Sequence, residues 1–275
     1  MDVSIYHNPA CGTSRNTLAL LRHAGADPRV IEYLTTPPSR AELDDLARRI
    51  GLPLHDLIRQ KGTPYAELGL GAPGIDEERL HAAIAAHPIL INRPIVVAPG
   101  GVKLCRPSDV VLDLLPVAPP DGLLKEEGVP FLKDTRLAGN DAGLRAALEA
   151  EGLPVDDLGE PWAALFRYDT LEGESVGYGG FELHGPDALV RSVVVSPGAR
   201  GAGIGRNIVP LLLFRAYEAG ARRAFLLTTS AAPFFGKLGF RDMARDAAPN
   251  AIRASRQFAA LCPASASLMT RKLGF

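Results

Sequence analysis

The stretch His7-Asn8-Pro9-Ala10-Cys11-Gly12-Thr13-Ser14-Arg15 decides how the first half of the chain is read. Before it, Val3 to Tyr6 is an apolar run with the length of a short strand. After it, Arg15 to Ala24 places Leu18, Leu21 and Arg22 near helical spacing. In a loop that leaves a strand and enters a helix, successive backbone N–H groups can point inward and cradle an anion. The same groups, with the helix dipole, stabilise a thiolate at Cys11 and lower its pKa. The thiolate is the form that attacks an electrophile. Gly12 permits unusual backbone angles, and Thr13 and Ser14 can add hydroxyl donors. Position alone leaves a second reading open, in which Cys11 is a small buried apolar residue, as free cysteines often are.

Outward from this loop, short strands alternate with helices. Gly25 is a helix stop, and Val30 to Tyr33 is a second strand. Ser39 with Glu42 three residues later has the form of a capping box, so a helix is expected to run to about Ile50. Glu77 to Ala86 reads as helix. Ile95–Val97 and Val102–Leu104 read as a hairpin across Ala-Pro-Gly-Gly, and Ser108 is expected to cap a last helix through Leu115. The pattern is that of a small α/β or α+β layer structure.

A chain of 275 residues is long enough for two cores, and 47% hydrophobic with 22% charged residues is ordinary for a globular protein. Pro116 to Pro130 is punctuated by Pro and Gly and shows no apolar periodicity, so it reads as a stiff linker. The boundaries expected are 1–117, a linker over 118–129, and 130–275. With 30 basic and 31 acidic residues there is no basic excess, which argues against a nucleic-acid partner. The three cysteines, Cys11, Cys105 and Cys262, cannot all pair and lie far apart, which favours a reducing compartment. No basic stretch followed by an apolar run opens the chain and no run of about 18 apolar residues occurs, so neither a signal peptide nor a membrane span is expected, and the location expected is cytoplasmic.

Four runs carry a resemblance over about the first 115 residues: His7 to Thr17, Leu57-Ile58-Arg59, His87 to Val97, and Leu104-Cys105-Arg106-Pro107-Ser108. Together they resemble the glutaredoxin-coupled arsenate reductases, the ArsC-like family with a thioredoxin-type fold. The resemblance implies that Cys11 attacks arsenate and that Arg59, Arg93 and Arg106 hold the oxyanion. His7 matches a histidine that helps lower the cysteine pKa, and Gly12, Thr13 and Ser14 line the anion site. It also implies glutathione as co-substrate and glutaredoxin as partner, with one protein cysteine sufficient and no metal. Guanidinium groups present paired donors that suit a tetrahedral dianion better than lysine does. Singly, each arginine reads more readily as a surface ion-pair or stem-packing residue than as a ligand; only the matched runs reverse that. Arg93 precedes Pro94, expected to be cis, and Cys105 is expected to be structural. Arg15 can reach back to the loop or face solvent.

The second half reads differently. A helical stretch near Asp141–Ala150 precedes apolar segments at Trp162–Tyr168, Val176–Leu183 and Leu189–Val195, separated as antiparallel strands are. Pro197 to Gly205 is Gly-rich and leads into a helix at about Ile208–Ala219. A strand at Ala224–Thr228, a short helix at Pro233–Leu238 and a strand at Ser267–Lys272 follow. Glycines allow backbone N–H groups to approach a pyrophosphate, but antiparallel strands before the loop argue against a dinucleotide-binding βαβ unit. A flexible turn is the plain alternative.

Arg200-Gly201-Ala202-Gly203-Ile204-Gly205 and Phe235-Gly236-Lys237-Leu238-Gly239-Phe240 give residues 130–275 a resemblance to the GNAT N-acetyltransferases. The runs Leu153–Leu158, Leu189–Val195, Ala248–Arg253 and Leu261–Ala266 are similar to those of the ArsN-type enzymes of arsenic-resistance operons. The fold class implied is a two-domain α/β chain, thioredoxin-like and then GNAT α+β. Acetyl-CoA is then expected against Val193, Val195 and Arg200 to Gly205, with an unknown amine as acceptor. Phe235 stands where many such enzymes carry a proton-donating tyrosine, so Tyr217 or a water would have to act. Glu182 and Glu174 lie on or near the central strands, and neither is assigned as base. Three readings therefore stand: a bifunctional reductase and acetyltransferase; a reductase fused to a non-catalytic acyl-CoA-binding domain; and a thioredoxin-like transcription regulator, which would not need all three arginines.

Overall fold

The computed structural model describes residues 2–116, 119–161 and 163–274, and the chain divides between Gly128 and Val129 into two compact units. In the first unit the elements are β1 (Ser4–His7), α1 (Gly12–His23), β2 (Arg29–Glu32), α2 (Arg40–Ile50), α3 (Glu77–Ala86), β3 (Ile95–Ala98) and β4 (Gly101–Leu104), closed by a 3-10 turn over Ser108–Leu114. The sheet order is β2-β1-β3-β4. β1 runs parallel to β2, with Ile5 opposite Val30, and antiparallel to β3, with Ile5 opposite Val96. β3 and β4 form the expected hairpin. Ile5, Leu20, Leu21, Ile95 and Val96 are sealed from solvent, and full burial of such a side chain contributes about 1.5–3 kcal/mol. The Ser39–Glu42 capping box is present, and Gly51 ends α2 in the left-handed region at φ 79°.

Three expectations are corrected here. α1 begins at Gly12, three residues before the expected start at Arg15, and Gly12 is helical rather than in an unusual backbone region. The segment after Pro107 is a 3-10 turn, and Ser108 does not cap it. Its hydroxyl is buried and donates to the Asp109 carboxylate at 3.4 Å. Within the stretch read as a linker, 118–129, residues Lys125 to Glu127 are bonded to the first unit. Lys125 pairs with Asp109 at 2.6 Å, the Glu126 amide donates to Asn16 Oδ1 at 2.9 Å, and Asn16 donates to Glu127 at 3.0 Å. Charged side chains anchor this segment where apolar periodicity is lacking. Residues 117 and 118, on which the expected boundary falls, lie outside the described residues.

The second unit holds β5 (Leu132–Leu137), α4 (Ala142–Ala150), β6 (Ala163–Thr170), β7 (Ser175–His184), β8 (Asp187–Val195), α5 (Ile204–Glu218), β9 (Arg223–Thr228), α6 (Ala232–Lys237), β10 (Arg241–Met243) and β11 (Ser267–Lys272). The sheet order is β10-β11-β9-β8-β7-β6-β5. Trp162, the expected start of the first long strand, lies outside the described residues. Asp141 caps α4 by accepting from the Leu144 amide at 2.8 Å. All pairs are antiparallel except β8 with β9, which pair in parallel only from Asp187–Val190 to Arg223–Leu226. Beyond Val190 the two strands separate into a fork. At the same place β8 slips register against β7, and Ser192 takes φ 54°.

Candidate active sites

In the first unit, β1 delivers His7 and Asn8 to the loop, and Cys11 caps α1 in an extended conformation, with the Arg15 amide closing the first turn on the Cys11 carbonyl at 3.0 Å. The three arginines come from distant segments tied together by main-chain bonds. The Arg59 amide donates to the Leu90 carbonyl at 2.7 Å and the Asn92 amide to the Leu57 carbonyl at 2.8 Å, so Arg59 and Arg93 are held side by side. The Cys105 amide donates to the Pro94 carbonyl at 2.9 Å and brings Arg106 to the same place. Both Arg93–Pro94 and Arg106–Pro107 are cis; the first was expected from sequence and the second was not.

The electrostatics show that these groups face one another. Burial raises the Cys11 thiol, but the neighbouring Ser14 amide and hydroxyl and the charges of Arg106 and Arg93 outweigh it, and the net pKa is below the ordinary thiol value. Burial and then the Arg93 and Arg106 charges lower Arg59, while Cys11 and Tyr33 act on it in the opposite sense. Among the described residues none of the three guanidinium groups has a carboxylate partner. Arg59 Nε, Arg93 Nε and Arg106 Nη1 are buried without a hydrogen bond to another protein group. Such donors are costly to leave unmade, about 1–3 kcal/mol each or more when charged, and an anion satisfies them.

Tyr33 is fully buried, belongs to the same cluster and was missed in the sequence reading. Its pKa is raised by burial, against the charge of Arg93. Only its place at the end of an apolar strand run could have marked it. His7 is also buried, and burial lowers its pKa, so it is a neutral imidazole near pH 7 rather than a cation beside the thiol. Cys105 is sealed in the core with its thiol toward the Lys103 carbonyl at 3.7 Å, the structural role expected. Arg15 does reach back to the loop: Nη1 donates to the Pro9 carbonyl at 2.6 Å.

In the second unit, the fork between β8 and β9 opens into two cavities. One, of about 620 Å³, is lined by the Gly-rich turn from Ala199 to Arg206, except Ala202, together with Val193, Val195 and Phe234. The other, of about 420 Å³, is lined by residues including Leu153, Ser192, Thr228, Ser230 and Cys262. Val193, Val195, Arg200, Ala231 and Phe235 line both. Of the expected cofactor residues, Val193, Val195, Arg200, Gly201, Gly203, Ile204 and Gly205 line the larger cavity. Gly203 at φ 80° caps α5, and a Cβ on Gly205 would come within 3.1 Å of the Phe234 ring. Bare backbone can approach a phosphate there, at a helix N-terminus.

Phe235 is in place but has no proton to give. Tyr217 is 3% exposed, stacked under Arg222 at 4.2 Å, and lines neither cavity. Glu182 is bound to Arg191 at 2.8 Å, and Arg191 also grips Asp157 through both terminal nitrogens at 2.5 and 2.7 Å. This buried cluster was not foreseen, although a lone arginine within Val190-Arg191-Ser192-Val193 signals a buried, paired charge.

A cysteine at a helix N-terminus facing an unneutralised arginine cluster defines a thiol-based oxyanion-binding protein, and the fork in the second unit defines an acyl-CoA-type fold. The ArsC family model matches residues 6–114, and that of the Acetyltransferase (GNAT) domain matches residues 162–242. The chain is 60% identical over 132 residues to an arsenate reductase of Rhizobium meliloti, covering 48% of this chain and 94% of that protein. It is 51% identical over 127 residues to an arsenate reductase of Escherichia coli K12, covering 46% and 90%. An arsenate reductase structure from Vibrio cholerae matches at 47% identity and TM-score 0.40, covering 42% of this chain and 98% of that one. The chain belongs to the ArsC family and carries a C-terminal GNAT acetyltransferase domain.

Proposed function

We propose that the first unit reduces arsenate to arsenite through Cys11. The observation that carries this reading is the lowered thiol facing buried guanidinium donors of Arg59, Arg93 and Arg106 that no carboxylate among the described residues neutralises. The Cys11 thiolate forms a sulfur–arsenic bond while one arsenate oxygen leaves as water. A glutathione thiolate then attacks the Cys11 sulfur. The electron pair of the sulfur–arsenic bond stays on arsenic, arsenite leaves, and Cys11 is left as a mixed disulfide that glutaredoxin reduces. Gly12, Thr13 and Ser14 supply loop donors to the oxyanion, and His7 packs as a neutral ring beside them. The chemistry needs reduced thiols, which fits a cytoplasmic location, and no helix among the described residues is long and apolar enough to cross a membrane.

The second unit, on this reading, binds acetyl-CoA with its pyrophosphate on Arg200 to Gly205 and its thioester between Val193 and Val195, and transfers the acetyl group to a small amine in the adjoining cavity. Phe235 favours one alternative, a domain that binds acyl-CoA without turnover. The test runs in two arms. Arsenate-dependent NADPH oxidation through glutathione reductase and glutaredoxin should be abolished by Cys11→Ser; unchanged turnover refutes the nucleophile. Calorimetry should show acetyl-CoA binding that Gly203→Glu removes, and CoA release with candidate amines separates an enzyme from a binding domain.

A further inference from the structure

The segment before Gly128 places a carboxylate over the Cys11 loop. Glu126 accepts from Arg15 Nε at 2.6 Å and from Nη2 at 2.7 Å, the paired geometry of a guanidinium and a carboxylate. Its Oε2 lies 3.6 Å from where a Cβ on Gly12 would stand, beside the nucleophile. Arg15 is one helical turn from Cys11 and within electrostatic reach of its sulfur. It is a fourth cation at the anion loop, and the only one of the four whose charge a carboxylate cancels among the described residues. The carboxylate is fixed in place by bonds that do not involve its charge: the Glu126 amide to Asn16, Asn16 to Glu127, and Lys125 to Asp109.

We propose that Glu126 withholds Arg15 from the oxyanion and so sets how strongly the Cys11 loop holds tetrahedral dianions, inorganic phosphate as well as arsenate. This rests on the reading of the first unit as an arsenate reductase. Arsenate is committed by formation of a bond to sulfur, whereas phosphate is held by charge and hydrogen bonds alone. A fourth free guanidinium would strengthen binding of both ions in the ground state. Such uniform binding adds nothing to the chemical step and scales retention of both ions alike, so half-protection by phosphate reads it directly.

The experiment uses the full chain and follows alkylation of Cys11 by mass spectrometry of its peptide, as a function of pH and of inorganic phosphate. The variants form a charge ladder: Arg15→Gln leaves one extra negative charge at the loop, the wild type and Arg15→Gln/Glu126→Gln leave none, and Glu126→Gln leaves one extra positive charge. Glu126→Gln is expected to lower the Cys11 pKa and to lower the half-protecting phosphate concentration by about fivefold. Arg15→Gln is expected to move both the other way, and the double variant to return to within about twofold of wild type. If the segment served only to brace the loop, all three variants would shift in one direction, and that result overturns the proposal, as does an unchanged Glu126→Gln. Wild-type Cys11 unprotected by either phosphate or arsenate would overturn the anion-site reading itself, a distinguishable failure.

Discussion

At Cys11, burial works against ionisation, while the Ser14 donors and the Arg106 and Arg93 charges work for it and prevail. The folded thiol therefore loses its proton at a lower pH than an unfolded one, whose value is about 8.5. The sign for stability follows. A depressed folded pKa contributes stability that is complete above the unfolded value and is lost as pH falls through the folded value. Cys11→Ser lacks this contribution, so the gap in melting temperature between wild type and Cys11→Ser should widen as pH rises through that window. Thermal melts of both proteins across that pH range check it, and a gap independent of pH would show that folding leaves the thiol's pKa at its unfolded value.

The elements show which parts of this arrangement sequence could reveal. Periodic ones were legible: the Ser39 capping box, α3 and the β3–β4 hairpin rest on local rules that nothing distant overrides. The start of α1 was not, because Gly12, Thr13 and Ser14 are weak helix formers and no side chain caps them; the turn closes on the Cys11 carbonyl and leans on Glu126, over a hundred residues away. β5 was missed because Leu132-Lys133-Asp134-Thr135-Arg136-Leu137 is an edge strand that buries little beyond Leu132 and is held instead by Asp134 to Arg215 at 2.7 and 2.8 Å. The arginine cradle was visible only as matched runs, since separate segments converge through main-chain bonds that no spacing encodes. The Asp157–Arg191–Glu182 cluster, which ties β7 and β8 to the segment before Trp162, makes a prediction at this scale. Arg191→Met removes one cation from two carboxylates that are 0% and 1% exposed and should cost about 3–5 kcal/mol. Arg191→Met combined with Asp157→Asn and Glu182→Gln should recover much of that loss, because the uncompensated charges are gone. Urea unfolding of the second unit's signal measures both, and equal destabilisation by the single and triple variants would show that packing, not charge, dominates.

Each unit buries its own apolar surface: Leu90 and Ile95 share a cluster in the first, while Leu144 in one cluster and Phe225 with Leu268 in another fill the second. Where the first ends is then a physical question about residues 119–128. Similarity to the Rhizobium meliloti reductase extends over 132 residues, beyond the 117 that the proline-rich boundary suggested. The same stretch carries Lys125, whose side chain is 4% exposed and meets Asp109 at 0%. A chain ending at Gly128 keeps that pair and the Arg15–Glu126 contact; one ending at Pro116 strips the cation from a carboxylate sealed inside the fold. Breaking a buried pair from one side costs about 3–5 kcal/mol, against a total of about 5–15 kcal/mol for a domain. Residues 1–128 are therefore expected to unfold cooperatively in urea with Cys11 still ionising below the ordinary thiol value. Residues 1–116 should unfold at a markedly lower midpoint, and Asp109→Asn should restore part of the difference in the shorter chain alone. Equal midpoints for the two lengths would show that the segment is only a tether, and that the fold and the thiol are complete without it.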